Sequence, residues 1–190
     1  MSSQTESSSA ESLKGQLREM YGRLAYTHKT HEKMADSCIS KYRTVKAIEI
    51  VLSALSSGSL VVSVLGDSRA GALVGAVLST VLLGLLLYFK EGAIGEMAQR
   101  HTETAAKLWG LREKLLSLLV DFNDGLATTE VQARRDQLNG DLERVYRGAP
   151  RTSEAAYAKA QVALKKAEEL YFTDAELNRL LPRDLRSPGS

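Results

Sequence analysis

Two apolar runs without a charged residue interrupt a chain that is otherwise rich in charged side chains. Residues 50–66 read "IVLSALSSGSLVVSVLG", and residues 70–89 read "AGALVGAVLSTVLLGLLLYF". A transmembrane helix needs about 20 mostly apolar residues, because the hydrocarbon layer is about 30 Å thick and each helical residue rises about 1.5 Å. The pattern therefore predicts two membrane spans, over residues 47–66 and 70–89.

The polar spacer between the two runs, residues 67–69, is so short that only a tight outer turn fits there. A buried helical hairpin in a soluble domain is the alternative interpretation. Such a hairpin would need a coat of apolar helices, whereas the other segments carry only narrow apolar stripes. The predicted fold class is therefore an all-α membrane protein, in which a two-span helical hairpin extends into a long antiparallel cytoplasmic stalk.

Lysine and arginine residues flank this hairpin on the side away from the turn. Those near the span ends are Lys29, Lys33, Lys41, Arg43 and Lys46 before the first span, and Lys90, Arg100 and Lys107 after the second. The turn itself offers only Arg69. Because basic flanks stay in the cytoplasm, both termini are predicted to be cytoplasmic in a multi-pass protein of the plasma membrane.

Small residues recur every four positions in the second span, at Gly71, Gly75 and Ser79. Small side chains at this spacing let two helix backbones approach closely, and packing drives helix association in lipid. This face predicts a helix-packing seam, but it does not indicate what the assembly does.

A polar stripe follows one face of the first span, because its residues are separated alternately by three and four positions. In one interpretation the serines of this stripe bond to carbonyl groups of their own or a neighbouring helix. In the other, several copies of the chain line a pore, and Glu49 forms a cation-favouring ring at the cytoplasmic mouth. The pore-lining candidates are Glu49, Ser53, Ser56, Leu60 and Ser63. One chain with two spans cannot enclose a pore, so this interpretation requires a homo-oligomer.

Apolar stripes with heptad-like spacing continue both spans into the cytoplasm and predict two long helices that pack as the antiparallel stalk. The predicted segments are a disordered tail at 1–10, stalk helices at 11–46 and 90–123, shorter helices at 129–147, 153–170 and 173–181, and a frayed tail at 183–190. The sequence "TDAE" at the start of the last helix is typical of a capping box.

Three histidines occur in the stalk segments. His28 and His31 lie one turn apart on the first helix, and the antiparallel hairpin places His31 about one turn from His101. Such residues can bind a metal or sense pH. Two histidines without a clear third ligand are more often simply packed and hydrogen-bonded. His31 and His101 are therefore the polar candidates of the stalk, and no metal site is predicted.

Composition and residue counts narrow the classes of function that fit this sequence. The net charge of +2 gives no reason to expect nucleic acid as a direct partner. The single cysteine, Cys38, cannot form an internal disulfide. No glycine-rich phosphate loop is recognisable, since the glycines at 71, 75 and 84 lie inside a predicted span. The sequence therefore predicts neither an enzyme nor a bound cofactor.

Several short stretches around the hairpin resemble bacterial SLATT-domain proteins. They are "AYTHKTHEK", "AAKLWGLREKLLSLL", "YRGAPRTSEAAYAKAQVAL" and "FTDAELNRLLP", and the resemblance covers about residues 12–182. It implies a SLATT-like domain over 11–182 in the bacterial inner membrane. It further implies a two-span effector of bacterial conflict systems, associated with nucleotide-second-messenger or reverse-transcriptase defence modules.

Two functions are consistent with these features. The leading hypothesis is an antiphage effector that oligomerises with itself in the lipid bilayer and permeabilises the membrane, which kills or arrests the cell. Its signal would come from a defence-system sensor or a nucleotide. The alternative is a non-conducting two-span scaffold that recruits a cytoplasmic partner.

Overall fold

The computed structural model describes residues 2–66, 69–89 and 91–182 of the 190-residue chain. Its helices are α1 (Ser2–Gly66), α2 (Arg69–Phe89), α3 (Glu91–Asn123), α4 (Thr128–Gly148), α5 (Glu154–Lys165) and α6 (Asp174–Leu180). No strand occurs in these three ranges, and the predicted all-α class with two long apolar helices is confirmed. The centre of the predicted outer turn, at residues 67 and 68, and the predicted frayed tail at 183–190 lie outside the described residues.

Helix α1 is much longer than a typical helix and joins the stalk to the first apolar run without a break. It begins at Ser2, so the predicted disordered tail is helical from its second residue. Adding a residue to an existing helix gains one hydrogen bond per residue fixed, whereas starting a helix is costly. The polar residues before 11 therefore extend a helix whose stability comes from the packing further along.

The core of the stalk forms where leucines of α1 meet leucines of α3. Its buried members are Leu13, Leu17, Met20, Leu24, Leu108, Leu111, Leu115 and Leu118, joined by Val131 and Leu138 of α4. Burial of these side chains removes apolar surface from water, which stabilises the fold by roughly 1.5–3 kcal/mol for each fully buried side chain. The predicted antiparallel pairing of the two stalk helices is therefore present.

The shorter helices α4 and α5 fold back onto the stalk. After α3 the chain turns at Gly125, whose φ of 101° lies in the left-handed region that glycine adopts without strain. Helix α4 then packs on α3, and α5 packs on α1. At the start of α5, the Ser153 side chain accepts a hydrogen bond from the backbone N–H of Ala156. The stalk thus carries two accessory helices, α4 on α3 and α5 on α1.

Helix α5 ends at Lys165, earlier than the predicted end at 170. The prediction was wrong because the following residues leave the helix: Glu168 takes a left-handed backbone with φ of 50°. The backbone N–H of Glu169 then donates to the carbonyl of Ala163. This turn directs the side chain of Glu169 back towards α1.

Helix α6 begins with the predicted capping box. The hydroxyl of Thr173 accepts from the backbone N–H of Glu176, and the Glu176 carboxylate accepts from the backbone N–H of Thr173. These two bonds satisfy donors that would otherwise be unpaired at a helix start.

Candidate functional site: the membrane hairpin and the histidine pair of the stalk

The apolar parts of the hairpin are exposed rather than buried within the fold. In the most apolar windows of the two long helical stretches, 11% and 6% of the residues are buried. A core helix of a soluble protein is mostly buried, whereas lipid covers the surface of a membrane span. Val64, Leu65 and Tyr88 are each at least 80% exposed. An apolar surface of this extent is a membrane or partner surface rather than ordinary protein surface.

The inner face of the hairpin is built from glycine on α2 and from the backbone and serines of α1. A Cβ atom added at Gly71 would lie 3.0 Å from the Ser59 carbonyl oxygen and 3.2 Å from the Ser63 nitrogen. At Gly75 it would lie 2.7 Å from Ser59 Oγ. Both glycines therefore permit a close approach of the two backbones, as the predicted packing seam requires.

Serine hydroxyls bridge the two helices within this seam. Ser56 Oγ donates to the Gly75 carbonyl oxygen across 3.2 Å and lies 2.6 Å from Ser79 Oγ. Ser56 is 6% exposed. In an apolar surrounding a hydroxyl without a partner is costly, so these bonds favour one register of the hairpin.

The predicted pore-lining residues occupy different positions in the single chain. Glu49 is buried, with its carboxylate 3.6 Å from the Lys46 ammonium. Ser56 is buried against α2, and Ser63 is half-buried beside Gly71, whereas Ser53 is exposed. Leu60 is 48% exposed and borders Gly75. Part of the stripe therefore faces the partner helix in this state, as the interpretation of inter-helical bonding expects.

Ser59 belongs to this seam although the stripe pattern omitted it. Its hydroxyl donates to the carbonyl of Ser56, and it lies against Gly75. The alternating spacing of three and four positions assigns Leu60, four positions after Ser56, to the stripe. Ser59 lies three positions after Ser56, also about one turn along the helix, and this spacing leaves it out. The two serines together form the polar side of the contact.

In the stalk, the side chains of His31 and His101 meet directly. Their Nδ1 atoms lie 2.9 Å apart, and the rings are buried, with 3% and 0% exposed. This is closer than the predicted separation of about one turn. One ring must donate an Nδ1–H and the other must accept it, so the contact cannot survive protonation of both rings.

The surroundings of the pair disfavour the charged form of each ring. Burial, together with the nearby His101 and His28, lowers the pKa of His31 to about 4. Burial and the charge of Arg100 lower the pKa of His101. Both rings are therefore neutral at pH 7, and the pair is a packed, hydrogen-bonded contact there. Among the described residues, no group of three or more His, Cys, Asp or Glu side chains is placed to hold a metal ion.

Taken together, two adjoining lipid-length apolar helices, a close-packed polar seam and a water-exposed helical stalk define a two-span helical membrane protein. A model of the SMODS and SLOG-associating 2TM effector domain family 4 matches residues 13–176. The chain belongs to this SLATT family, and it is a membrane effector of defence-associated systems. No curated protein and no solved structure matches the chain.

Proposed function

We propose that this protein is an effector that assembles with copies of itself and permeabilises the bacterial inner membrane when a cytoplasmic signal arrives. Both termini face the cytoplasm in this proposal. The observation that carries it is the continuity of α1, which links the stalk core at Leu13–Leu24 to the seam at Ser56 within one helix. A shift or rotation of the stalk then moves the first span without an intervening hinge.

The polar seam supports a change from a closed hairpin to a pore. In the single chain, the buried Ser56 hydroxyl group bonds to α2, and the backbone of the half-buried Ser63 lies against Gly71. If α1 rotates or the helices part, the Ser56 hydroxyl group needs new partners. Water in a lumen shared by several copies supplies those partners, and Glu49 then lies at the cytoplasmic entrance.

Permeabilisation is tested by expressing the protein in bacteria together with a membrane-potential dye and a growth assay. We expect depolarisation and growth arrest from the activated wild-type chain. The matched variants are Glu49→Gln with Ser56→Leu, which alters the proposed lining, and Val64→Leu, which alters an 81% exposed apolar position. Intact potential and growth in cells that hold abundant, activated wild-type protein would contradict the proposal.

The lining is tested by cysteine accessibility, because Cys38 is the only native cysteine. In a Cys38→Ser background, single cysteines replace Ser56 and, as a lipid-facing control, Val64. We expect a membrane-impermeant thiol reagent to modify position 56 only in the activated state. Modification of neither position after activation would contradict a water-filled lumen along this stripe.

The scaffold alternative differs in what it requires of the spans. If the spans only anchor and dimerise, replacing residues 50–66 and 70–89 by an unrelated apolar hairpin preserves the toxic or signalling effect. The permeabilising effector loses its effect with the same replacement, provided that the exchanged chain still reaches the membrane.

A further inference from the structure

The stalk has an open cleft of about 710 Å³ between α1, α3 and the connector after α5, residues 166–173. We call it the stalk cleft. Its lining includes Lys29 and Lys33 of α1, Trp109 and Arg112 of α3, and Glu169 of the connector. Clefts of about 300–1,000 Å³ are the usual size of small-molecule sites in proteins. The hairpin seam and the histidine pair do not use these side chains.

An internal carboxylate occupies the basic side of the stalk cleft. Glu169 lies 2.9 Å from Lys29 Nζ and 2.9 Å from Lys33 Nζ, with a second oxygen 3.2 Å from Lys33. Hydrogen bonding from Lys29 and from Lys33 is the main cause that lowers the pKa of the Glu169 carboxyl group. The two ammonium groups thus hold one carboxylate between them, which is the arrangement that would also hold a phosphate.

The connector reaches this position through an unfavourable backbone conformation. Glu168, directly before the carboxylate, has a φ of 50° without being glycine. The left-handed region is disfavoured for residues with a Cβ atom. The lysine pair therefore offsets a local conformational cost.

Two buried polar side chains in the same cleft have an atom that no described residue satisfies. Arg112 is 7% exposed, and Glu113 accepts from its Nε and Nη2 at 3.1 and 2.7 Å. Its Nη1 has no hydrogen-bond partner, and neither has Nδ1 of His28, which is 5% exposed. Unsatisfied polar atoms are uncommon in buried positions, and a bound molecule or a water is one way to satisfy them.

The organic part of a ligand would meet Trp109. This side chain is 52% exposed although it borders the cleft. An indole ring that is open on one side stacks on planar groups.

Two further acids, Glu32 and Asp36, line the cleft from α1 itself. Glu32 accepts from Lys29 at 2.5 Å and lies 3.5 Å from His28 Nε2, both on its own helix, whereas Glu169 reaches the lysines from the connector. Glu169 is therefore the carboxylate that an incoming anion would displace.

We propose that the stalk cleft binds a small, soluble phosphate ester that carries a planar ring. The phosphate replaces the Glu169 carboxylate on Lys29 and Lys33 and accepts from Arg112, and the ring stacks on Trp109. A lipid headgroup does not fit this position. At about 1.5 Å per residue, Lys33 lies about 20 Å along α1 from residue 47, whereas the headgroup layer is about 5–8 Å deep. The proposal does not depend on the proposed function.

Binding is tested on the full chain in detergent micelles, with phenyl phosphate and inorganic phosphate as probes at constant ionic strength. Trp109 is the only tryptophan in the sequence, so its fluorescence reports on the cleft directly. We expect a saturable change with phenyl phosphate, and a dissociation constant about tenfold lower than for inorganic phosphate. Such a ratio corresponds to the usual strength of a stacking contact. Calorimetry measures the same constants without the fluorophore.

Variants separate the proposed contacts from general electrostatics. Glu169→Gln removes the internal competitor and should lower the dissociation constant about three- to tenfold, whereas Lys33→Gln should raise it about tenfold. Lys159→Gln, an equal charge change at a lysine that bonds to Ser37 outside the cleft, should leave it unchanged. Trp109→Leu, followed by calorimetry, should abolish the preference for phenyl phosphate.

Three results would overturn the proposal. One is the absence of saturable binding of either probe to both the wild type and Glu169→Gln. Another is an equal weakening by Lys33→Gln and Lys159→Gln, which would mean a diffuse charge effect. The third is displacement of phenyl phosphate by vesicles that contain phosphatidic acid, since this would place the natural phosphate in the bilayer.

Discussion

Helix α1 packs against its partner in two chemically different ways along its length. In the stalk, large leucines such as Leu17 and Leu24 interlock with Leu108 and Leu115, and all four are at most 1% exposed. In the hairpin, the contact consists of glycine and hydroxyl groups, and the large apolar side chains point outward. The first half of α1 therefore buries its leucine side chains against α3, whereas in the second half leucines such as Leu55 and Leu65 are exposed on the outer surface of the hairpin.

The difference follows from what surrounds each half. In water, burying a leucine removes apolar surface from the solvent and stabilises the fold. In lipid, a leucine gains little from burial, because the acyl chains are as apolar as the helix partner. Close backbone packing and inter-helical hydrogen bonds then determine the contact. Each of the following experiments perturbs one of these two contacts and uses a control in the same region of the molecule.

The largest effect is expected from a cavity in the stalk core. Leu115→Ala removes a side chain that is 0% exposed, and it should destabilise the stalk by about 2–5 kcal/mol. Leu116→Ala makes the same chemical change at a neighbouring residue that is 41% exposed, and it should cost much less. Thermal unfolding in detergent micelles measures both. Equal destabilisation would contradict the assigned leucine core.

The second effect is a loss of stalk stability in acid, caused by the histidine pair. The pKa of His31 is about 4 in the folded chain and 6.5 in its ordinary state, so the unfolded chain binds more protons between these values. Stability is therefore full above pH 6.5 and falls as the pH decreases towards 4, by up to about 3 kcal/mol. Unfolding experiments from pH 7.5 to 4 measure this dependence.

His31→Gln is the control for this window, because it removes the titrating ring and should flatten the pH dependence. The Glu32 carboxyl group affects stability only at lower pH, because its pKa is about 2. Its hydrogen bond with His28 lowers this pKa most, burial opposes the shift, and Lys29 adds to it. An unchanged slope between pH 6.5 and 4 in His31→Gln would show that the pair does not control acid stability.

The third effect tests close packing in the hairpin. Gly75→Leu adds a side chain where a Cβ would already lie 2.7 Å from Ser59 Oγ, and it should cost about 1–3 kcal/mol. Gly84→Leu, on the same helix, enters a position with no neighbouring atom within 4 Å and should be tolerated. A similar melting temperature for both variants in micelles would contradict the glycine seam.

The smallest effect comes from one hydroxyl group in the seam. Ser56→Ala removes the bonds to Gly75 and Ser79, and it should destabilise the hairpin by about 0.6 kcal/mol, with an upper range of about 1.7 kcal/mol. Ser53→Ala, three positions away and exposed, should have no measurable effect. If Ser53→Ala costs as much as Ser56→Ala, the polar stripe faces a different surface from the one described.

Much of the fold follows from local patterns that the surroundings do not override. The two apolar runs and the "TDAE" capping box each depend on residues close together in the chain. The end of α5 does not: the prediction extended this helix to 170, through residues of "KKAEELY" that are mostly good helix formers. Lys29 and Lys33 of α1 form ion pairs with Glu169 of the connector. A contact between residues so distant in sequence cannot be predicted from a local pattern.

The residues of the candidate sites likewise fall into two groups: some follow from local patterns, and others are assigned only by packing. The small-residue pattern predicted Gly71, Gly75 and Ser79 as a seam. The spacing of three and four predicted a polar stripe on the first span, but it left open whether the stripe lines a pore or bonds to its own or a neighbouring helix. Ser59 and the buried Arg112 were missed, because nothing in their local sequence distinguishes them from an ordinary serine and an ordinary surface arginine. Only the approach of α2 and the packing of α1 on α3 assign them to a contact.

The sequence by itself determined that the chain is helical and that two segments suit lipid, because helical periodicity and hydropathy are properties of neighbouring residues. It also carried the SLATT family, through the short stretches of the resemblance and the match over residues 13–176. The tertiary structure decided which polar groups meet: Ser56 with Ser79, His31 with His101, and Glu169 with Lys29 and Lys33. These contacts depend on the rotation and register of helices about their axes. A rotation of a fraction of a turn replaces one set of partners by another, so only the packed structure selects among them.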